Sequence, residues 1–516
     1  MNLSDLDFSH LKKIKRGIER EALRITNKGK VAQSKHPSNF GEKLTHPNIT
    51  TDYSEGLLEL ITEPFNSKKA LFQSLSDYLT FAAKNLENNE LFWALSMPPI
   101  TTEEEIKIAH YGQSNSARMK EVYRYGLAAR YGKIMQIIAG IHYNFSFPDE
   151  FLTQLMPEDS LNPQTLQFYK NKLYFRLIRK FYQSSWLLPY LFGSTPLIAK
   201  TSLLSDKHRL KKLDADYLYG EHATSLRMSE FGYQSEAQKD LHISYRDLTS
   251  YIHDLVLATQ QTFKDYTKLG VLKKDFGYNQ LNDCILQIEN EYYNPIRPKQ
   301  IVHRCERPAC ALSKRGVSYI ELRTIDIDPF SPEGISKETT DFLDVFFSFC
   351  LLAEAPMYSK ASIKEAKDNF RTVVKQGRKP NLNLKKNNQS ISLKDWGACI
   401  LNECLDLACQ FDKELKTKDY TKAVYAQIEK INQTEKTPSF ILLDKISQSS
   451  LTASEFLFNQ SIKNTESLKA QKLLKTTEAK LKREVLDSQK AFKLLEEKEE
   501  GSFESYIQRY YASVCR

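Results

Sequence analysis

The stretch Ile141-His142-Tyr143-Asn144-Phe145-Ser146-Phe147 alternates polar and apolar side chains without a break. In an extended strand residues i and i+2 point to the same side, so His142, Asn144 and Ser146 face one way and three large aromatic rings face the other. Four further segments carry the same period. Glu19-Arg20-Glu21 sets two carboxylates on one side, and in Leu58-Glu59-Leu60-Ile61-Thr62-Glu63 the residues Glu59, Ile61 and Glu63 lie opposite Leu58 and Leu60. In Ile285-Leu286-Gln287-Ile288-Glu289-Asn290-Glu291, Gln287, Glu289 and Glu291 face away from Leu286 and Ile288. In Tyr319-Ile320-Glu321-Leu322-Arg323-Thr324-Ile325-Asp326, Glu321 and Arg323 share the face opposite Ile320 and Leu322. Helical stretches and turn signals such as His36-Pro37, Pro98-Pro99 and Gly316 separate these segments, and the mixture predicts an α+β unit up to about residue 370.

Beyond Gly377-Arg378-Lys379-Pro380, read as an exposed bend, the chain becomes rich in Lys, Leu and Glu and strand alternation stops. Residues 1–370 are therefore expected to form a core, and residues 371–516 a mainly helical region packed on it. Leu474, Leu481, Val485, Phe492 and Leu495 make the apolar stripe of one amphipathic helix, with Gly501 as its stop. The stripe lasts barely three heptads, which favours a packing helix over a coiled coil.

Of 516 residues, 41% are hydrophobic and 27% charged, which excludes wholesale disorder and collagen-like repeats. Lys and Arg exceed Asp and Glu by 73 − 64 = 9, but the basic residues near the C-terminus are mixed with acidic ones. That pattern argues for no nucleic-acid partner. The N-terminus lacks a signal-peptide core, and the longest apolar stretch, Val345 to Ala353, is half of what a bilayer requires. A cytoplasmic protein with no membrane partner is expected, acting as a monomer, with oligomers left open. Eight scattered cysteines contain no CxxC pair, so neither a metal site nor a disulfide framework is expected of them, and most should be reduced and buried.

Gly is only 18 of 516, and the chain has no GxxxxGK[ST], GxGxxG or HExxH. Walker-type NTPases, Rossmann dehydrogenases and zincins lose their main support. An antiparallel strand with one solvated face would alternate in the same way. The five faces together nevertheless hold Glu19, Glu21, Glu59, Glu289, Glu291 and Glu321 and no Lys. Gathered in one pocket, such carboxylates require cations. Oxygen ligands with at most one imidazole favour Mg²⁺ or Mn²⁺ over zinc, and the chemistry these imply is metal-assisted phosphoryl transfer. A metal-dependent phosphohydrolase would present a similar cluster.

Seven ordered motifs then resemble glutamate-cysteine ligase of the proteobacterial type. They are Gly17-Ile18-Glu19-Arg20-Glu21-Ala22-Leu23-Arg24; Leu44-Thr45-His46 with the run Ile49 to Thr62; Trp93-Ala94-Leu95-Ser96-Met97-Pro98; Tyr111-Gly112 with Ser114-Asn115; Gly140 to Ser146; Ala223-Thr224-Ser225-Leu226-Arg227; and Tyr319-Ile320-Glu321-Leu322-Arg323. The resemblance spans roughly residues 14–335 and extends more faintly to the C-terminus. It implies a curved antiparallel sheet of the glutamine-synthetase type. It also implies that ATP phosphorylates the γ-carboxylate of L-glutamate and that the amine of L-cysteine attacks the γ-glutamyl phosphate, giving γ-glutamylcysteine in the first step of glutathione synthesis. A ligase of the same superfamily with another amine substrate is the near alternative.

Carried over by position, Glu19, Glu21, Asp52, Glu59, His142 and Glu321 resemble the family's set of Mg²⁺ ligands, with Mn²⁺ as a substitute. Arg323 becomes the candidate for neutralising γ-phosphoryl oxygens, against the competing reading of an ion pair with Glu321 within the sheet. Arg227 is the candidate contact to a substrate carboxylate or phosphate, against a surface salt bridge. Tyr123, Tyr233 and Tyr293 match the tyrosines around the family's cysteine subsite. The chain departs from many relatives at Lys314-Arg315-Gly316-Val317-Ser318, where two consecutive glycines are usual, so the loop leading to Glu321 is expected to differ.

Overall fold

The computed structural model describes residues 5–157, 163–203, 208–232, 235–273, 277–498, 501–513 and 515. The strands are β1 (Lys15–Ile25), β2 (Ile49–Thr51), β3 (Leu57–Ile61), β4 (Leu91–Phe92), β5 (Ile141–Ser146), β6 (Leu197–Ala199), β7 (Lys211–Lys212), β8 (Tyr217–Tyr219), β9 (Ile296–Lys299), β10 (Tyr319–Ile325), β11 (Asn383–Lys386) and β12 (Gln389–Ser392). The main sheet runs β2-β3-β1-β5-β10-β9, with β4 paired to the end of β1, and every pairing in it is antiparallel. Four of the five alternating segments contribute its strands.

The register explains the alternation. Glu19 stands opposite His142, Glu21 opposite Glu59, and Glu321 opposite both Asn144 and Arg297. Cross-strand partners point to the same side, so one face carries the acidic set. The other face carries Ile18, Leu58, Leu60, Tyr143, Phe145, Ile320 and Leu322, all fully buried. This face packs on the helix Lys337–Leu352, where Phe347 stacks on Tyr143 at 6.4 Å and lies 5.1 Å from Phe145.

Helix α1 (Lys68–Lys84) starts at Ser67, whose hydroxyl accepts the Ala70 amide. Helix α2 (Asn115–Tyr131) starts in the same way at Ser114 and stops at Gly132, whose φ of 77° favours glycine. It lies against the cleft. Among the described residues no helix is long and apolar enough to cross a membrane.

The structure corrects several expectations. Residues 285–291 form no strand; Glu289–Glu291 is a turn of 3₁₀ helix. Strand pairing returns after residue 377 as the β11–β12 hairpin. The bend is only half exposed, because Gly377 and Arg378 are buried and Arg378 Nε donates to the Ala223 carbonyl. Leu481, Val485 and Leu495 are buried on the helix Lys475–Lys498, whereas Leu474 precedes it and is exposed. Cys310 and Cys515 are joined in a disulfide, which the scattered spacing concealed; the other six cysteines are free.

Candidate active site

The acidic face floors an open cleft of about 370 Å³ walled by α2 and the loop before β9. Glu19, Glu21, Asp52, Glu59, His142, Glu321, Arg323, Tyr123 and Tyr293 all line it. His142 sits at its centre, with Nδ1 2.9 Å from Glu19 Oε2 and 3.5 Å from Glu321 Oε1, and Nε2 3.6 Å from Glu21 Oε1. Ligand atoms of Glu19, His142 and Glu321 fall within 4.8 Å of one another, compact enough to share a cation. Asn144 Nδ2 donates to Glu19 Oε1 at 2.8 Å, and the Gly140 amide donates to Glu21 Oε2 at 2.5 Å. Asp52 follows β2 on a loop, held where Arg124 Nε and the Tyr111 hydroxyl donate to its carbonyl.

The charges on this face do not balance. Burial, then Glu19, Asp52 and Glu21, push the Glu59 carboxyl well above its usual range. Burial also raises Glu21. Burial opposes ionisation of Glu19, but the hydrogen bond from His142 together with the charges of His142 and Lys299 brings the carboxyl below its ordinary range. Glu321 is likewise buried, yet Lys299, Arg323 and Arg297 hold it well below the ordinary range. The array is thus acidic at the Glu59 end and neutralised at the β10 edge. Hard oxygen donors with one imidazole, crowded to the point of mutual repulsion, fit a divalent cation.

Arg323 Nη1 lies 2.7 Å from Glu321 Oε1, so the intra-sheet pair is present, and Arg323 also faces the cleft. Arg227 is 1% exposed and stands behind the lining, its Nη2 donating to the Arg323 carbonyl at 3.1 Å. It is no surface salt bridge. A Cβ at position 140 would come within 1.9 Å of that nitrogen, so Gly140 is required for Arg227 to lie this close. Tyr233 lies outside the described residues. Glu289 and Glu291 are each held by an arginine, Arg307 at 2.8 Å and Arg130 at 3.0 Å.

Sequence reasoning missed the basic half of the site. Lys120, Arg124, Leu127 and Tyr131 line the cleft with Tyr123, at the i, i+3, i+4, i+7, i+11 spacing of one helix face. Arg297 and Lys299 alternate in the short strand Ile296–Lys299 and reach Glu321 from its other side. Both signals were present in the residues. They were weak because α2 is not apolar enough on either side to announce its face.

A family model described as glutamate-cysteine ligase matches residues 3–373. The glutamate–cysteine ligase of Pseudomonas fluorescens (strain Pf-5) is 42% identical, over 98% of this chain and 95% of that one. That of Bordetella petrii is 40% identical over 100% and 99%. A crystal structure of glutamate–cysteine ligase from Francisella tularensis in complex with AMP superposes with a TM-score of 0.91 at 43% identity, covering 96% of this chain and 97% of that one. A bifunctional glutathione synthetase from Pasteurella multocida shares the fold at a TM-score of 0.69 and 22% identity, over 89% of this chain and 53% of that one.

Proposed function

The chain belongs to the glutamate-cysteine ligase family, and from that premise we propose that its cleft uses ATP to join the γ-carboxylate of L-glutamate to the amine of L-cysteine. The observation that carries the reading is the surplus of buried carboxylate on one sheet face, in a family whose activity is a ligation. Glu19, Glu21, Asp52, Glu59, His142 and Glu321 would hold Mg²⁺, with Mn²⁺ as a substitute. Divalent ions there would neutralise phosphate oxygens and the charge developing on the transferred phosphoryl group.

The chain's own side chains do the rest. His142 spaces three carboxylates, and Asn144 and the Gly140 amide fix the orientation of two of them. Arg323 faces the cleft beside Glu321, where it would meet the γ-phosphoryl oxygens. Arg227 supports it from behind, through its carbonyl. Tyr123 and Tyr293, together with Tyr233, would enclose the cysteine side chain, since a small thiol is selected by a close apolar wall. Substrates are then small molecules, the work is done in the cytoplasm, and residues 371–516 serve a catalytic core formed by residues 1–370.

The test is incubation of purified protein with ATP, Mg²⁺, glutamate and a panel of amines. Phosphate release that requires both glutamate and cysteine, with formation of γ-glutamylcysteine, is expected. Release driven equally by another amine would reassign the amine substrate, and ATP hydrolysis indifferent to both amino acids would overturn the ligase reading in favour of a phosphohydrolase.

A further inference from the structure

The apolar stripe of the helix Lys475–Lys498 accounts for Leu481, Val485 and Leu495, but the helix carries a second row with a different use. Ser488, Phe492 and Glu496 follow at intervals of four and so lie along one face. All three meet backbone that leads to the cleft. The Ser488 hydroxyl accepts the Glu42 amide at 3.0 Å, and its carbonyl accepts the Thr45 hydroxyl at 2.6 Å, in the loop that enters β2 and Asp52. Phe492 and Glu496 close over Gly112, whose φ is 119°. A Cβ there would come within 2.7 Å of the Phe492 ring and 2.8 Å of Glu496 Oε1, so this approach needs glycine.

Glu496 turns both of its oxygens to the entrance of α2. Oε2 accepts the Gln113 amide and Oε1 the Ser114 amide, each at 2.8 Å. A carboxylate suits this place because it offers an acceptor to each of two successive N–H groups, where a carboxamide offers only one oxygen. The chain beyond Glu496 continues the grip. Asn115 Nδ2 donates to the Gly501 carbonyl at 3.2 Å, and the Arg118 guanidinium lies 4.5 Å over the ring of Phe503, which opens the helix Phe503–Ala512. The gripped segment is tied to the site at both ends. Tyr111, just before it, donates its hydroxyl to the Asp52 carbonyl at 2.8 Å, and Arg124, further along α2, donates Nε to the same carbonyl at 2.5 Å. Tyr123 and Arg124 line the cleft, whereas Glu496 lies outside its lining.

We propose that Glu496 is a positioning residue for the ligation: from the C-terminal helix it sets the start of α2, so that Tyr123 and the Asp52 loop stand in the right places across the cleft. This deepens the ligase reading above and rests on it. A helix moves as a rigid unit, so releasing its first two amides displaces Tyr123 and loosens the Asp52 carbonyl together, and small misplacements of binding groups are costly to turnover. Arg227 and Arg323 sit on other elements and are untouched by such a shift. The C-terminal region thereby takes part in the reaction without touching a substrate.

Two variants of Glu496 and one control test the role. In Glu496→Ala, KM for cysteine and the Mg²⁺ concentration giving half the maximal rate should each rise about fivefold, with KM for glutamate moving less than about twofold. Glu496→Gln keeps one acceptor and should fall between this and the wild type. Hydrogen–deuterium exchange of the peptide spanning residues 110–118, followed without metal or substrate, should quicken in both variants. The control is Leu442→Ala, fully buried in the helix Pro438–Gln448 of the same C-terminal region; it should lower the melting temperature and leave the cysteine KM and the Mg²⁺ response unchanged. Wild-type kinetics and exchange in both Glu496 variants, or the same kinetic change in Leu442→Ala, would overturn the positioning role and leave the ligase reading standing. A wild-type protein that forms no γ-glutamylcysteine would overturn that reading and the role with it, whatever the exchange shows.

Discussion

The two faces of the main sheet each gather buried charges, and they settle them in opposite ways. Beneath the sheet, Asp344 is completely buried yet lies 2.7 Å from Arg16 Nη2 and 2.7 Å from Lys68 Nζ, and it accepts the Tyr143 hydroxyl at 2.7 Å. Asp341 pairs with the same Lys68. Arg16, Lys68 and the partly exposed Lys337 meet these two anions, and although burial opposes its charge, Arg16 and Lys68 hold the Asp344 carboxyl below its usual range. Above the sheet, Glu19, Glu21, Glu59, Asp52 and Glu321 share one imidazole and face cations gathered at the β10 edge (Lys299, Arg297, Arg323) and on α2 (Lys120, Arg124), and Glu59 is still forced well upward. A closed network of this kind serves the fold, and an open one that leaves Glu59 uncompensated is the candidate binding site. The same residue types do both jobs, and only the balance of charge tells them apart.

The contrast is broken most severely from below. Asp344→Ala strands Arg16 and Lys68 in the core, and removing one partner of a buried pair costs about 3–5 kcal/mol. The expected outcome is a large fall in melting temperature and little soluble protein, with any folded fraction retaining its KM values. Unchanged thermal stability would mean that the lower network holds nothing together.

The upper face should respond with the opposite sign. Glu59→Gln removes a carboxylate that its neighbours already disfavour, so without metal the variant should melt no lower than the wild type. Turnover should drop on the order of 100-fold, about 2.7 kcal/mol of transition-state stabilisation. Added Mg²⁺ should raise the melting temperature of the wild type and do so less in the variant, because a ligand that binds only the folded state stabilises by mass action. Normal activity with normal Mg²⁺ dependence in Glu59→Gln would remove it from the metal set.

These two faces were not equally legible in the sequence. The two-residue period of 141–147 and of the segments around Glu19, Glu59 and Glu321 fixed both the strands and the side each carboxylate faces, because one buried face specifies register strongly. The segment 285–291 alternates just as well and is not a strand: its apolar residues pack while Glu289 and Glu291 are captured by Arg307 and Arg130, which lie far away in sequence. Local periodicity carries no information about such partners. The Cys310–Cys515 bridge, across 205 residues, was hidden for the same reason. The basic wall from α2 was overlooked because Lys120 and Arg124 fit a solvated helix face equally well. Distance in the chain hid the partners of Glu289 and Glu291 and the disulfide, whereas an ambiguous local pattern hid the wall from α2.

Arg323 sharpens the comparison, since its 2.7 Å pair with Glu321 copies the core geometry on the cleft side. It is 21% exposed, however, and partly solvated pairs contribute under about 1 kcal/mol. Arg323→Met should therefore leave the melting curve within a few degrees while lowering kcat roughly tenfold or more through lost stabilisation of phosphoryl charge. A stability loss comparable to that of Asp344→Ala, with kcat unchanged, would make the pair structural and end its proposed role.

The smallest effect concerns a residue that the charge contrast does not govern. Tyr293 lines the cleft, its amide donates to Gln238 Oε1 at 3.0 Å and its hydroxyl to Met228 Sδ at 3.3 Å. Burial raises its hydroxyl pKa, so the group stays protonated and acts as a wall with one polar handle. If that wall belongs to the cysteine subsite, Tyr293→Phe keeps the ring and removes only the handle, worth about 0.5–1.5 kcal/mol for a neutral hydrogen bond. KM for cysteine should then rise roughly threefold, with KM for glutamate and ATP unchanged, since uniform binding lost from one substrate appears in that substrate's KM alone. Equal shifts for glutamate and cysteine would instead place Tyr293 in the general packing of the cleft, and the selection of the thiol would have to come from elsewhere on its wall.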